Sequence, residues 1–477
     1  MANPARRDRR VPEATEAWII GSGTSSLASA VYLIQLAHLR PSAVHVLDEH
    51  LSMQQAMHQE RSAHDGYDQF AGCLPIPAGK ELNRILDMVP SAVEGQSHLH
   101  YIQEEEKNLA LHSSQGTSFV AQTEHGAIEF RRAVKQYLSG FHSLSILTCL
   151  DFTGRYQYEA IYVPIYFFLQ SQGVDFQFGV KVRNVETTVN QHRHIITRLA
   201  VSQHGLDFKY FLGPSDIVIG TPGSTVSGSS IGNNNTPPAW DSIEARDQLD
   251  ANWALWLEAG NRYPDHGNPY TFCTRKSESM LESFTITTEH VEFFDYLQSL
   301  LQSKSHAGTI ILMNKSSWGV RLCLPLQPVF AHQSQDVRVL WGFALFPEKE
   351  GDCFDKSLLS CSGFEILCEI LHHLDIPDEL ASEVLQRSIT IPRAMPRMSS
   401  TLLTRSLKDR PGITPESVVN LGLVGPFVET PWRTCVDTSY GVYVAREAVS
   451  RLMGLQVRPE ERSGPSILRV LMTLLWR

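Results

Sequence analysis

The most regular hydrophobic pattern of the chain lies in residues 17–49 and predicts a strand, a helix and a second strand. The apolar run Ala17–Ile20 is typical of a buried parallel strand. The helical positions that share one face, at spacings of three and four, are Leu27, Ala30, Val31 and Ile34. A second apolar run, residues 44–47, ends at the acid Asp48. This order of elements predicts the start of a nucleotide-binding α/β fold.

The turn between the first strand and the helix has the residues that a dinucleotide site needs. Gly21 makes the tight turn, and Gly23 lets the backbone approach a pyrophosphate at the helix N-terminus. Ser26 takes the place of the usual third glycine and is still small enough for close packing of helix on strand. Asp48 and its neighbour Glu49 are predicted to hold the ribose hydroxyls.

Further apolar runs predict two strand-rich blocks. The first returns to the nucleotide-binding fold, and its predicted strands are residues 174–178, 180–185, 195–201 and 217–220. The second has predicted strands at residues 309–313, 317–324 and 337–346, and a final strand follows at 418–424. The predicted helices are residues 81–89, 128–141, 158–170, 358–373 and 440–453. Pro164 should kink or break the third of these helices.

A second ligand-facing turn is predicted just after the final strand. Phe427, Val428 and Glu429 lie there. Open parallel sheets bind ligands at the carboxyl ends of their strands, so this turn is expected to meet the same cofactor as Gly21 and Gly23.

Composition narrows the class of protein. The chain has 477 residues, of which 42% are hydrophobic, and its net charge of −10 argues against a nucleic-acid partner. The eight cysteines form no CxxC pair and are typical of reduced thiols in a cytoplasmic protein. The histidines lack the spacing of metal ligands, so no metal site is predicted.

The two ends of the chain differ in character. Residues 1–16 are basic and polar, which predicts a disordered lead-in rather than a secretory signal. No apolar run reaches the roughly 18 residues that span a membrane. Residues 467–477 are apolar and flanked by arginines. We favour a terminal helix docked on the protein's own core, and the alternative is an interfacial helix that makes a peripheral membrane contact.

Over nearly its whole length the chain resembles the oleate hydratases, also called the myosin-cross-reactive antigen family. The segments that carry the resemblance include AWIIGSGTSSLASAVYLI, VHVLDEH, GVDFQFGVKVRNVE, DIVIGTPGST, NWALWLEAG, SSWGVRLCLPLQPVF, WGFALFP and NLGLVGPFVETP. The resemblance implies a Rossmann-type FAD-binding domain, a β-rich domain shaped for a fatty acyl chain, and a homodimer. Members add water across a cis double bond without net redox change, and the flavin acts there as a structural and electrostatic element.

The family's cofactor positions match this chain well. By resemblance, the phosphate loop is Gly21, Gly23 and Ser26, and Asp48 is the ribose acid. The strand that meets the adenine contains Val182, and the return crossing is Thr221, Pro222 and Gly223. The flavin-edge turn is Phe427, Val428 and Glu429.

The family's catalytic residues do not match. Leu74 stands where members have the glutamate that activates water, and Ala133 stands where they have the tyrosine that protonates the alkene. Because general acid–base catalysis contributes roughly 10²–10⁴-fold per group, the usual hydration should be lost unless other groups substitute. Phe70 and Cys73, with Leu74 and Ala133, are predicted to line a dry substrate pocket, which would protect a carbocation or dienol from water.

Three functions remain open at this point. The first is isomerisation or proton-triggered cyclisation of a lipophilic polyene, as in secondary metabolism. Its proton donor would come from Asp68, Tyr137, His142, Tyr156, Tyr158 or Glu159. The second is hydration with relocated groups, for which Glu81 and Glu429 are the candidates. The third is a non-catalytic protein that binds flavin and lipid.

The predicted organisation is an α/β chain with a discontinuous FAD-binding domain. That domain comprises residues 17–235 and 415–455, and residues 236–414 form the substrate-binding domain. Residues 456–477 form a C-terminal helical segment. The expected partner is a lipophilic small-molecule substrate.

Overall fold

The structure is a computed structural model. It describes residues 9–52, 62–68, 79–91, 95–101, 126–129, 131–132, 158–190, 193–239, 249–299, 309–325, 327–431, 433–435 and 438–456. The helices α1 to α10 are Thr24–Gln35, Gly79–Met88, Val163–Gln172, Ala251–Arg262, Tyr270–Cys273, Lys276–Ser279, Val291–Ser299, Gly363–His373, Asp378–Gln386 and Thr438–Met453. The strands β1 to β14 are Ala17–Ile20, Val44–Asp48, Asp175–Phe178, Val180–Asn190, Arg193–Gln203, Leu206–Phe211, Ile217–Gly220, Ser230–Ile231, Leu281–Thr288, Thr309–Leu312, Arg321–Leu324, Arg338–Ala344, Ser388–Met395 and Leu421–Leu423.

A five-stranded parallel sheet in the order β14-β7-β1-β2-β3 forms the centre of the nucleotide-binding fold. β1 and β7 are buried along their whole length, which explains why their sequences are continuously apolar. Helices α1, α2, α3 and α10 cover one face of this sheet through a shared hydrophobic core. The predicted Rossmann-type fold is therefore confirmed.

The other face of the parallel sheet is covered by a three-stranded antiparallel sheet, β4-β5-β6. The contact is hydrophobic and includes Trp18 and Ile20 of β1, Val182 of β4 and Leu199 of β5. This arrangement places the carboxyl ends of β1 and β7 beside β4, where the adenine half of a cofactor is expected.

A separate six-stranded sheet in the order β10-β11-β12-β9-β13-β8 forms the second, β-rich part of the chain. All of its pairings are antiparallel. One face packs on α7, α8 and α9, and this core includes Phe284, Ile286, Leu340 and Ile366. The opposite face of the sheet holds a smaller apolar cluster of Cys323, Trp341 and Phe343.

Two described segments cross the predicted boundary at residue 235. β8 pairs with β13 in the six-stranded sheet. Helix α4, in contrast, belongs in sequence to the predicted substrate domain but packs its Trp253 and Trp256 against Phe427 of the nucleotide-binding fold. Both contacts join residues far apart in sequence, which a local pattern cannot reveal.

The apolar helix predicted at residues 158–170 is divided. A π-helical turn, Tyr158–Tyr162, precedes α3, and Pro164 lies in the first turn of α3, where its missing N–H costs nothing. Gly173 ends the helix in a left-handed conformation (φ 92°). Most of the helix predicted at 128–141, and the C-terminal segment from 457 onward, lie outside the described residues. Among the residues that the structure describes, no helix is both long and apolar enough to cross a membrane.

Candidate cofactor and active site

The phosphate loop leaves open space in front of α1. Gly21 has a φ of +94°, and its N–H donates to the carbonyl of Leu47 at 2.8 Å. Gly23 precedes the first turn of α1, and a Cβ added to it would meet nothing within 4 Å. No acidic side chain lies in that first turn. The exposed N–H groups of a helix start attract a phosphate, so the geometry fits a pyrophosphate.

Asp48 holds the phosphate loop in place. One carboxylate oxygen accepts hydrogen bonds from the backbone N–H of Ser22 (2.8 Å) and its hydroxyl (2.7 Å). The other accepts from the backbone N–H of His50 (2.9 Å) and from its Nδ1 (2.7 Å). Burial alone would raise the pKa of Asp48, but the hydrogen bonds and charge of His50, with the Ser22 hydroxyl, keep that pKa below its usual value. Hydrogen-bond donors of the protein therefore already engage both oxygens of the Asp48 carboxylate. The contact of Asp48 with a ribose stays a prediction.

Glu49 lies between the end of β2 and the start of α4. Its Oε1 accepts from the N–H of Ala251 at 3.1 Å, and its Oε2 lies 3.3 Å from Lys181 Nζ. Asp250 caps the same helix by accepting from Trp253 N–H at 2.9 Å. Burial, together with the negative charge of Glu49, raises the pKa of Asp250 to about 6 although the cap hydrogen bond lowers it. The part of the site that is predicted to hold the ribose is therefore acidic, and Glu49 connects it to α4.

The return crossing adjoins the same loop. Ser26 Oγ lies 3.3 Å from Thr221 Oγ1. Gly223 has a φ of +72°, and a Cβ there would lie 2.4 Å from the ring of Trp253, so only glycine fits. A pocket with an open volume of about 740 Å³ extends from Thr221 and Asn252 between α4 and the sheets. Val182 has its side chain in the core, and a register shift follows it in β4, so only its backbone could face a ligand.

The residues of the flavin-edge turn are anchored by the protein. Phe427 is fully buried, and its ring packs edge-on against Trp253 at 4.9 Å between centroids. The carbonyl of Val428 accepts a hydrogen bond from the Tyr440 hydroxyl. Glu429 pairs through its backbone with Pro411 and Gly412. This leaves the backbone of the turn, rather than the side chains of Phe427 and Val428, to face a cofactor.

Glu429 belongs to a buried ionic network that sequence reasoning did not find. Its carboxylate contacts Arg132 at 2.6 Å and Arg405 at 2.8 Å. Glu129 contacts the same two arginines at 3.0 and 2.7 Å and lies 3.5 Å from Arg410. The residues come from three distant parts of the chain, so no local motif signals the network. It joins Glu129 and Arg132, the residue directly before Ala133 in sequence, to the predicted flavin-edge turn.

Of the six proton-donor candidates, the structure describes Asp68, Tyr158 and Glu159. Asp68 is buried and pairs with Arg393 of β13. Tyr158 packs with Tyr67, the neighbour of Asp68, in a cluster that includes Phe330. Asp68 and Tyr158 therefore both lie beside the six-stranded sheet. Tyr137, His142 and Tyr156 lie outside the described residues, as do the predicted pocket residues Phe70, Cys73, Leu74 and Ala133.

Three other acidic candidates are engaged by protein groups. Glu159 Oε2 accepts from the N–H of Ala331 at 2.8 Å. Glu81 is buried and contacts Arg84 at 3.1 Å, with Arg446 at 3.7 Å. Like Glu429, these carboxylates would have to leave their partners before they could serve a reaction.

Three side chains of the types that bind metal ions lie close together, away from the predicted FAD site. Glu369 and His373, one turn apart on α8, lie with Asp352 close enough to share an ion. Protein hydrogen bonds account for their positions: Glu369 accepts from the N–H groups of Asp352 (2.6 Å) and Cys353 (2.8 Å), and His373 Nε2 lies 3.0 Å from Asp352 Oδ2. The group ties a loop to α8.

FAD, the cofactor that the resemblance implies, fits the site formed by the phosphate loop, the acidic pair Asp48 and Glu49, and the turn at 427–429. The open helix start at Gly23 would receive the pyrophosphate, and the acidic group around Asp48 and Glu49 would lie at the ribose side. The turn at 427–429 follows β14 at the same edge of the sheet. The residues that would hold FAD are therefore brought together as the sequence predicts, although each individual contact stays a prediction.

Comparisons with known proteins agree with this architecture. The model of the MCRA family matches residues 14–116 and 110–450. An oleate hydratase of Streptococcus pyogenes serotype M49 (strain NZ131) is 27% identical over an aligned length of 512 residues, which covers 92% of this chain and 86% of that protein. A linoleate hydratase of Lactiplantibacillus plantarum is 27% identical over 339 residues, covering 66% of this chain and 58% of that protein.

Among solved structures, a flavoprotein/dehydrogenase of Cytophaga hutchinsonii covers 94% of this chain and 81% of its own, at a TM-score of 0.40 and 11% identity. That likeness is too distant to support a conclusion. The family match is different, because it extends over most of the chain and includes the phosphate loop and the final turn. The chain belongs to the MCRA family.

Proposed function

We propose that the chain is an FAD-binding enzyme that acts without net redox change on a carbon–carbon double bond of a lipophilic substrate. The relatives named oleate hydratase and linoleate hydratase support the substrate class. FAD would supply structural and electrostatic support, as the family resemblance implies. The reaction we favour is isomerisation or cyclisation, in which a proton adds to one alkene carbon and another proton leaves a different carbon. Atoms and electrons then balance without an oxidant.

One observation carries this proposal: the Arg132–Glu429 ion pair of 2.6 Å. It holds Arg132 against the predicted flavin-edge turn, although the next residue, Ala133, lacks the hydroxyl of the family's tyrosine. An enzyme that keeps Arg132 in place without the neighbouring proton donor needs a donor from elsewhere.

Tyr158 is the described residue that we favour as this donor. It carries a phenol, as the family's donor does, and it is half-buried beside the Tyr67 cluster. Asp68 is less suited, because its carboxylate already pairs with Arg393. Tyr158→Phe should lower turnover by roughly 10²–10⁴-fold. Tyr166→Phe, on the next turns of the same helical region, is the matched control, and equal losses in both variants would refute the role of Tyr158.

The test of the function uses protein loaded with FAD and reduced anaerobically. Oleic and linoleic acids are added in deuterated water, and products are identified by mass spectrometry. Deuterium at carbon without gain of oxygen is the expected result. A hydroxy fatty acid would instead support hydration by relocated groups, for which Glu81 and Glu429 would first have to open their ion pairs. Binding of FAD and lipid with no product from any alkene would support a non-catalytic protein.

A further inference from the structure

The face of the six-stranded sheet that is turned away from α7, α8 and α9 has an unusual composition. In antiparallel sheets, residues directly opposite each other point to the same face. The register places Trp341 opposite Thr285 and Cys323 on neighbouring strands. It places Ser283 between Phe343 and Arg393. The face therefore mixes large apolar groups with polar ones in adjacent rows.

Two polar side chains on this face are buried without a hydrogen-bond partner. Trp341 is 1% exposed, and its Nε1–H has no acceptor. Ser283 is also 1% exposed, and its hydroxyl is likewise unpartnered. A buried polar group without a partner costs about 1–3 kcal/mol, and buried Trp usually finds an acceptor. Two such groups in adjacent rows make this sheet face a candidate binding surface.

The chain segment that leads to the family's catalytic loop crosses this face. The N–H of Tyr67 donates to Thr287 Oγ1 at 2.8 Å, and a Cβ at Gly66 would lie 2.6 Å from Ile389. Asp68 then pairs with Arg393, in the same row as Ser283. Residue 74, which stands where the family has its water-activating glutamate, follows six positions after Asp68. The face thus adjoins the segment in which the chemistry is expected.

We propose that this face is a wall of the substrate pocket, and that Trp341 Nε1–H and the Ser283 hydroxyl bind an oxygen atom of a lipophilic substrate. Because an indole N–H only donates, the bound atom is an acceptor, such as the oxygen of a carboxylate, ester, alcohol or ketone. Cys323, Phe343 and Met395 give the neighbouring apolar surface. The inference rests on the proposed function for the class of substrate, but not for the reaction.

The test monitors binding separately from turnover. FAD-loaded protein is labelled with 5-fluorotryptophan, and the ¹⁹F resonance of Trp341 is assigned by its loss in Trp341→Phe. Oleic acid and oleyl alcohol are then titrated. We expect a saturable shift of the Trp341 resonance and none at Trp318, whose Nε1–H already donates to the Lys349 carbonyl at 2.9 Å. A Trp341 resonance unmoved by both lipids would overturn the inference.

Affinity measurements on variants complete the test. Loss of one hydrogen bond should weaken oleate binding about two- to tenfold in Trp341→Phe and in Ser283→Ala. The thermal midpoint of the Ser283→Ala apoprotein should not fall, because that variant loses no protein hydrogen bond, whereas Trp341→Phe also removes buried ring volume and should lower its own midpoint. Ser316→Ala is the matched control, since Ser316 Oγ is equally buried and unpartnered but lies away from this face. Unchanged affinity in both variants would refute the assignment, whereas bound oleate without any product would refute only the proposed reaction.

Discussion

The open space in front of α1 makes a sharp prediction at Gly23. Its backbone (φ −68°, ψ 175°) is available to any residue, and a Cβ there meets no atom within 4 Å. Gly23→Ala should therefore change the free energy of unfolding of the apoprotein by less than about 1 kcal/mol, because the cost of alanine at the N-cap of α1 is offset by the lower entropy of its unfolded chain. The same methyl group would project into the space where the pyrophosphate must approach the backbone.

The expected loss of cofactor affinity follows from the hydrogen bonds at stake. A hydrogen bond to a charged group contributes about 1.5–3 kcal/mol, and each 1.4 kcal/mol corresponds to a factor of ten in affinity. Loss of one backbone contact to the pyrophosphate should thus raise the FAD dissociation constant by about 10- to 150-fold. Flavin fluorescence quenching on apoprotein measures this constant, and thermal unfolding of the same samples measures stability.

Two other glycines serve as comparisons. Gly21 has a φ of +94°, so Gly21→Ala should also destabilise the apoprotein, by about 1–2 kcal/mol. Gly213 lies just before β7 at the opposite end of the parallel sheet, and a Cβ there makes only ordinary contacts with Asp216. Gly213→Ala should change neither the stability of the apoprotein nor its FAD dissociation constant. If Gly23→Ala binds FAD as tightly as the wild type, the pyrophosphate does not lie at this helix start.

Three further predictions concern buried charges and are measured by chemical or thermal unfolding. Glu129→Gln should destabilise the protein by about 3–5 kcal/mol, because it removes a buried carboxylate charge that three buried guanidinium groups share, whereas the exposed Glu258→Gln should cost at most about 1 kcal/mol. The pKa of Asp250 is raised from 3.8 to about 6 in the folded protein, so protonated Asp250 contributes about 3 kcal/mol of stability that is fully present below pH 3.8 and is lost as the pH rises through 6. Asp250→Asn should therefore reduce the dependence of the free energy of unfolding on pH in this range. Glu282 is fully buried, its carboxylate has no hydrogen-bond partner, and burial raises its pKa. Glu282→Met should therefore stabilise the protein at neutral pH by about 1–3 kcal/mol. A lower midpoint of unfolding in this variant would contradict the prediction.

The nucleotide-binding fold could be predicted from sequence because its signals are local. Strand Ile217–Gly220 was predicted with its observed bounds, and the helix predicted at 440–453 is observed as Thr438–Met453. Both elements bury a continuous surface, and their hydrophobic runs have the corresponding length. β6, β9 and β13 were not predicted. β9, Leu281–Thr288, is buried on both faces yet contains serine and threonine, so it shows neither alternation nor an apolar run.

The candidate site could be predicted only in part, for a related reason. Gly21, Gly23 and Asp48 belong to one βαβ unit, in which the chain order itself brings the groups together. Both partners of Glu429 precede it in the chain, Arg405 by 24 positions and Arg132 by 297. Asp68 likewise meets Arg393 across 325 positions. Such pairs depend on how two separate sheets are placed, which no periodicity within one element specifies.

The ion pairs Asp68–Arg393 and Arg132–Glu429 help to decide whether the protein catalyses a different reaction or has lost its activity. A buried ion pair contributes little net stability, because desolvation of both charges offsets their attraction. Asp68–Arg393 and Arg132–Glu429 are therefore poorly explained as devices for holding the fold together. Each instead fixes the position of a segment next to a replaced family residue, since Leu74 follows Asp68 and Ala133 follows Arg132. A protein that only binds flavin and lipid would not need both of these segments to be fixed. We therefore favour the proposed enzyme, with a proton donor other than the family's tyrosine, over a protein that has lost its activity.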